Sequence, residues 1–193
     1  MSNAQLEQNR AFGGVIDILE AVGIEYAIWG GVAAATYGEP RFTQDMDIVV
    51  RLSHSEANTL ARLLEEDGYY VSIEAIRDAV DRHFYFNTIH LETSIKIDFY
   101  VAGRDPIHKW AFEHRQTRDF DEFRQAAYMP PESVVLTKLQ AYQDSDSTRH
   151  LDDIEGILRV SGPELDLDYI SREATRLGAF GIWRDLLDRS GLR

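Results

Sequence analysis

Residues 29–50 read WGGVAAATYGEPRFTQDMDIVV: two adjacent glycines, an alanine-rich segment, a loop broken by Gly38-Glu39-Pro40, and two aspartates one residue apart at the head of an apolar run. Val32–Tyr37 predicts a short helix, and Asp45–Leu52 predicts a strand. On a strand successive side chains leave opposite faces, so Asp45 and Asp47 share one face while Met46 and Ile48 share the other. Carboxylates held that close repel, which costs stability unless something positive lies between them. A solvated strand edge would tolerate the pair, yet Ile48-Val49-Val50 is apolar throughout and reads as an interior strand.

Working outward, Val15, Ile18, Leu19 and Val22 recur at helical spacing within 5–22, and Gly23 supplies a stop. Ile24–Trp29 predicts a short strand that ends at the glycine pair. Ser53-His54-Ser55-Glu56 reads as a capping box opening a helix whose buried face is Leu60, Leu63 and Leu64. Tyr69–Ile73 predicts a third strand, and His83–Ile89 with Ser94–Val101 a pair of hairpin strands. In the latter Ile95, Ile97, Phe99 and Val101 face one side, and Ser94, Lys96, Asp98 and Tyr100 the other. From about Pro106 the pattern turns helical. Pro130-Pro131 is the best boundary, followed by amphipathic segments at about 131–143, 151–160, 166–177 and 180–189. The expected architecture is therefore α+β: a mixed β-sheet flanked by helices over 1–129, and a helical C-terminal part over 130–193.

The chain has 193 residues, 44% of them hydrophobic, enough for one well-packed domain with a helical appendage. With no cysteine, disulfide scaffolds and thiolate metal sites are excluded, which fits a reducing, cytoplasmic setting. The N-terminal segment is polar and no apolar run is long enough to span a bilayer, so neither a signal peptide nor a membrane anchor is expected. A formal charge of −13 opposes broad electrostatic binding of long nucleic acid, while leaving room for a local basic site or a basic protein partner. Within 104–118, Arg104, Lys109, Arg115 and Arg118 mix with Trp110 and Phe112. Because Asp105 and Glu113 dilute that charge, a solvated helix with an aromatic anchor is the simpler reading.

Asp98 gives the acidic pair its meaning. It lies in IKIDFYV, on the polar side of a strand with an apolar reverse. Three aspartates on neighbouring strands make a hard-oxygen site suited to Mg²⁺ or Mn²⁺, and a two-ion site clamps the attacking and leaving oxygens of a phosphoryl displacement.

The order apolar-Gly-Gly, thirteen residues, Asp-apolar-Asp-apolar, and later an apolar-Asp-apolar strand resembles the nucleotidyltransferase superfamily that includes the DNA polymerase β-like enzymes. The resemblance spans residues 24–101. It implies that Asp45, Asp47 and Asp98 ligate the metal ions, Asp98 also helping to activate the attacking hydroxyl. Gly30 and Gly31 would let the backbone approach the triphosphate, a task that suits residues without a Cβ. Arg41 and Thr43 stand in Arg-x-Thr-x-Asp-x-Asp, similar to a loop of antibiotic-modifying and toxin-type members. Arg41 would neutralise carboxylates or touch a phosphate.

Further on, Pro-Pro-Glu, then Lys-Leu, then an Asp-Ile helix resembles the AbiEii-type toxin branch. There a lysine and a later aspartate line the nucleotide pocket, and Lys138 and Asp153 are the matching positions. Lys138 shares a helical face with Val134 and Val135. The chain departs from the branch at Arg149-His150, where a basic residue followed by aspartate is usual. What the resemblance implies is a Mg²⁺-dependent enzyme that transfers an NMP from an NTP to a hydroxyl, or to a phosphate, of an acceptor. Its setting would be a toxin–antitoxin or phage-defence pair, with tRNA, protein or a small molecule as acceptor and an antitoxin protein as partner. An antibiotic-type small-molecule enzyme and a catalytically silent protein-binding module stay open as alternatives.

Overall fold

The structure, a computed structural model, describes residues 3–103 and 106–192, so Arg104 and Asp105 of the basic-aromatic segment lie outside it. In chain order the elements are α1 (Asn3–Val22), β1 (Tyr26–Trp29), α2 (Gly30–Tyr37), β2 (Asp45–Val50), α3 (His54–Glu66), β3 (Tyr69–Tyr70), α4 (Ile73–Arg82), β4 (Tyr85–His90), β5 (Lys96–Val101), α5 (Pro106–Glu113), β6 (Gln116–Asp119), β7 (Gln125–Tyr128), α6 (Pro131–Ser145), α7 (Arg149–Ser161), α8 (Leu167–Arg176) and α9 (Phe180–Ser190). Its contacts divide into two compact units, Met1–Ile28 with Thr43–Tyr128, and Trp29–Phe42 with Met129–Arg193. Residues 29–42 thus group with the C-terminal helices.

In the first unit, the strands among the described residues form one seven-stranded mixed sheet, ordered β3-β4-β5-β2-β1-β7-β6. β2 pairs parallel with β5, and β5 antiparallel with β4. β2 is therefore an interior strand, as its apolar run requires. Met46, Ile48 and Val50 of β2 and Ile97 and Phe99 of β5 are buried on the reverse face. There the Phe86 ring of β4 stacks on that of Phe99, centroids 4.7 Å apart. Burying each such side chain is worth about 1.5–3 kcal/mol. α1 contributes Phe12, Val15, Ile16 and Leu19 to the core, and α3 contributes Leu60 and Leu64. The capping box that opens α3 is present: Glu56 N–H donates to the Ser53 hydroxyl and Ser53 N–H donates to Glu56.

Two expectations are corrected in this unit. The strand predicted over 69–73 stops at Tyr70, because the Ser72 hydroxyl accepts from Ala75 N–H and caps α4. Between Pro106 and Pro130 the expected helical pattern holds for α5 alone, and 116–128 form the β6–β7 hairpin. Its turn is closed by Asp121 Oδ1, which accepts from the backbone N–H of Phe123 at 2.8 Å and of Arg124 at 2.9 Å.

The second unit is helical. α6 packs against α2, α7 and α8, and α9 against α7 and α8. Its core is Ala33, Ala34 and Tyr37 of α2, Val134–Leu136 and Leu139 of α6, Ile154, Ile157 and Leu158 of α7, and Trp183 of α9. α2 and α7 meet backbone to backbone at Gly38, where a Cβ would lie 2.8 Å from the nitrogen of Ile157. Glu39, the next residue, receives a forked pair of hydrogen bonds from Arg159 of α7, at 2.8 and 3.0 Å. These contacts tie the start of the 39–42 loop to α7.

Gly30 opens α2 with φ +61°, in the left-handed region. A side chain there meets its own carbonyl and costs about 1–2 kcal/mol. Gly30→Ala is expected to lower Tm by roughly 2–8 °C for a chain of this size. A melting curve within 1 °C of wild type, on the order of a quarter kcal/mol, would show that the turn relaxes to ordinary backbone.

Candidate active site

Because β2 and β5 are parallel and in register, each aspartate of the first strand has a defined neighbour. Asp45 pairs with Lys96 and Asp47 with Asp98. On the other side of β5, Asn87 pairs with Asp98 and Tyr85 with Tyr100. Two-residue alternation then sets Asp45, Asp47, Lys96, Asp98, Tyr100, Tyr85 and Asn87 on one face of the sheet. The three predicted aspartates are brought together on adjacent strands, and Asp98 is the most buried, its side chain 10% exposed.

The positive group that this repulsion demands is Lys96. Its Nζ lies 2.6 Å from Asp98 Oδ2. The hydrogen bond to Asp98 raises the ammonium's pKa, burial opposes it, and the charges of Asp98, Asp45 and Asp47 add to the rise. Tyr100 is also engaged: burial, the charges of Asp47 and Asp98 and a hydrogen bond to Asp47 all push its phenol upward. Thr43 is buried beside the pair, its hydroxyl donating to the Asp45 carbonyl at 2.9 Å, while its own carbonyl accepts from Gln8 Nε2.

Among the described residues no three carboxylate or histidine side chains converge as a ready metal cage. What the face offers is an all-oxygen donor set with a cation already drawn to it. That chemistry fits a hard divalent ion.

The second unit holds the other predicted residues. Gly30 and Gly31 form the first two positions of α2, and Lys138 lies on α6. Arg41 grips Asp153 of α7 with both arms, Nε to Oδ1 at 2.6 Å and Nη2 to Oδ2 at 2.8 Å. Lys138 Nζ also reaches Oδ2, at 2.8 Å. Arg41, expected beside the acidic pair or a phosphate, thus has Asp153 as its partner. Burial pushes the Asp153 carboxyl up, but the hydrogen bonds and charges of Arg41 and Lys138 outweigh it and hold the group below the usual carboxylate range. His150 borders the cluster. Burial and then the Lys138 charge push its imidazole down, and its Nδ1 is buried without a hydrogen-bond partner. A cleft of about 290 Å³ opens along Glu39, Arg41, Asp153, Gly156 and Arg159.

Lys96 and His150 were not singled out from the sequence. Two-residue spacing from Asp98 was the signal for the first. The substitution in Arg149-His150 was the signal for the second.

This sheet, with paired acidic strand positions, is that of a nucleotidyltransferase. The antibiotic-resistance factor ANT(2'')-Ia matches with a TM-score of 0.63 at 10% identity, over 97% of this chain and 99% of its own. A nucleotidyltransferase-like antigenic protein from Paracoccidioides brasiliensis matches at 0.56 and 20% identity, over 95% and 92%. The lincomycin-bound lincosamide antibiotic adenylyltransferase LnuA matches at 0.51 and 13%, over 78% and 96%. At such identities the likeness is one of fold. No curated protein sequence matches the chain. A family model described as nucleotidyl transferase AbiEii toxin, type IV TA system, matches residues 21–181, and the chain belongs to that family. Among the described residues no helix is long and apolar enough to cross a membrane.

Proposed function

We propose that the chain is a divalent-metal-dependent nucleotidyltransferase that moves an NMP from an NTP to a hydroxyl, or a phosphate, of an acceptor. Its biological setting would be the toxin half of a cytoplasmic toxin–antitoxin pair. The observation that carries this reading is the in-register trio Asp45, Asp47 and Asp98 on one sheet face, three carboxylates with one ammonium paired to Asp98.

The acceptor oxygen attacks the α-phosphorus; the new P–O bond forms as the bond to the β-phosphate oxygen breaks and pyrophosphate leaves. Asp45, Asp47 and Asp98 would hold Mg²⁺ or Mn²⁺, which when bound offsets the charge on the triphosphate and the departing pyrophosphate. The Asp98 carboxylate takes the proton of an attacking hydroxyl. Thr43 orients Asp45 through its hydrogen bonds to that residue. Gly30, Gly31, Arg41, Lys138 and Asp153 are assigned to the nucleotide, and the division into 1–129 and 130–193 belongs to the same proposal.

A second reading, transfer to a small molecule, is favoured by the net charge of −13, which opposes a long polyanionic acceptor. ANT(2'')-Ia is an antibiotic-resistance factor and LnuA a lincosamide adenylyltransferase, so the fold accommodates such acceptors.

Incubation of the protein with each α-labelled NTP, Mg²⁺ and cell extract tests both. Label is expected on RNA or protein for the toxin reading, and on a small molecule for the second. No Mg²⁺-dependent labelled product with any of the four NTPs would overturn the enzymatic reading and leave the binding module.

A further inference from the structure

The residue that neutralises the acidic face is itself loosely held. Lys96 is 44% exposed at its side chain, whereas its partner Asp98 is 10% exposed. Its backbone stands opposite Asp45, so its stem starts beside one carboxylate and its ammonium ends on another. One monovalent cation offsets a third of the charge of three aspartates. A divalent ion on the same oxygens offsets more, and Coulomb attraction scales with that charge. A lysine is a compact point charge on a flexible stem with no fork geometry to keep it in place, and it carries no other ion pair in the structure's described part.

We propose that Lys96 is a triphosphate-binding residue of this site: it rests on Asp98 in the metal-free protein and exchanges that carboxylate for phosphate oxygens when the aspartates take up a divalent ion. The inference rests on the nucleotidyltransferase reading above and adds a residue to it. An ammonium left beside an occupied metal site meets the anion that the metal ions engage, the triphosphate of the NTP, and the exposed stem gives it the reach. In the free protein Lys96 competes with the metal; in the loaded site it holds the substrate. The two roles have opposite signs in binding, which makes them separable.

The test measures Mn²⁺ binding by electron paramagnetic resonance without nucleotide, then binding of a non-hydrolysable α,β-methylene NTP in the presence of Mg²⁺ by calorimetry. The proteins are wild type, Lys96→Met, Lys96→Gln and Asp45→Asn/Asp47→Asn. The two lysine variants are expected to bind Mn²⁺ about tenfold tighter and the nucleotide about tenfold weaker, one order of magnitude each way. The glutamine variant, polar and nearly isosteric, guards against a methionine protein that does not fold. Unchanged affinity for both ligands would make Lys96 a structural ion pair only and overturn the inference. Tighter Mn²⁺ with unchanged nucleotide would overturn the exchange and leave a counter-ion. Wild type that binds no Mn²⁺ would overturn the metal-dependent reading itself. If wild type binds Mn²⁺ and Asp45→Asn/Asp47→Asn does not, that reading stands whatever Lys96 does.

Discussion

Asp47→Asn is expected to reduce NMP transfer by on the order of 10³-fold while leaving thermal stability equal to wild type or slightly higher. The amide keeps the shape of the carboxylate and its hydrogen-bonding contact with Tyr100. What it removes is one of three like charges on a face where Asp45, Asp47 and Asp98 repel. For the fold this is relief. For a site that must hold a divalent ion it is a loss of several kcal/mol of transition-state stabilisation, and each 1.36 kcal/mol is about a factor of ten in rate. The opposite directions discriminate: a merely structural Asp47 would lower Tm and leave whatever activity the folded fraction has. Transfer assays per mole of folded protein, with melting curves on the same samples, check it. Full activity in Asp47→Asn would remove this residue from the proposed metal set.

The acidic face was readable from local pattern because strand alternation is local. Asp45 and Asp47 over Met46 and Ile48, and Asp98 between Ile97 and Phe99, announce two strands with polar fronts, and the burial follows that pattern except at Asp98 and Val49, which are buried on the front face. The pairing of Asp47 with Asp98 is another matter. It joins residues some fifty positions apart, and the sequence reading placed the aspartates on neighbouring strands without giving their register. The β6–β7 hairpin left no such trace, since Gln116-Thr117-Arg118-Asp119 has no apolar alternation and is mostly exposed. It is held by backbone pairing with β7 and by the Asp121 turn. α4 was hidden because Tyr69-Tyr70-Val71 reads as a longer strand until the Ser72 cap is recognised. In the second unit Lys138 and Asp153 were expected in one pocket, but the grip of Arg41 on Asp153 spans 112 residues of chain. No spacing rule relates an arginine in a loop to an aspartate on a distant helix. Lys96 was visible as a member of the polar face, and its ion pair with Asp98 was not, because a strand pattern gives sides and not partners.

Asp153→Leu is expected to destabilise the protein by about 3 kcal/mol, the low end of the cost of stripping a buried ion pair of one partner. The side chain of Asp153 is 3% exposed and faces two cations, Arg41 at 27% and Lys138 at 12%. Its removal leaves both uncompensated, and the partial exposure of Arg41 keeps the cost from the top of the range. Lys138→Met, by contrast, leaves Asp153 with the forked Arg41 contact and is expected to cost less. Acid should reproduce part of the effect. The folded Asp153 carboxyl lies below its unfolded value of about 3.9, so its contribution is complete above that pH. Below it the unfolded chain binds the extra proton, and the contribution is lost as pH falls through the folded pKa. His150 adds an earlier step of the same sign. Its folded pKa is lowered, so the contribution of its neutral form is complete above about pH 6.5 and declines below it as the unfolded chain takes up protons. Denaturant unfolding from pH 8 to pH 3 therefore shows two declines in wild type. Asp153→Leu should make the lower decline shallower, and His150→Gln should lose the upper. The remainder of the lower decline comes from Glu25 and Glu39, whose carboxyls arginines also hold low, and from Asp121, held low against its burial by backbone N–H groups and Arg124. A profile unchanged in Asp153→Leu would mean that Arg41 and Lys138 find other anions, and that Asp153 does not hold the cluster together.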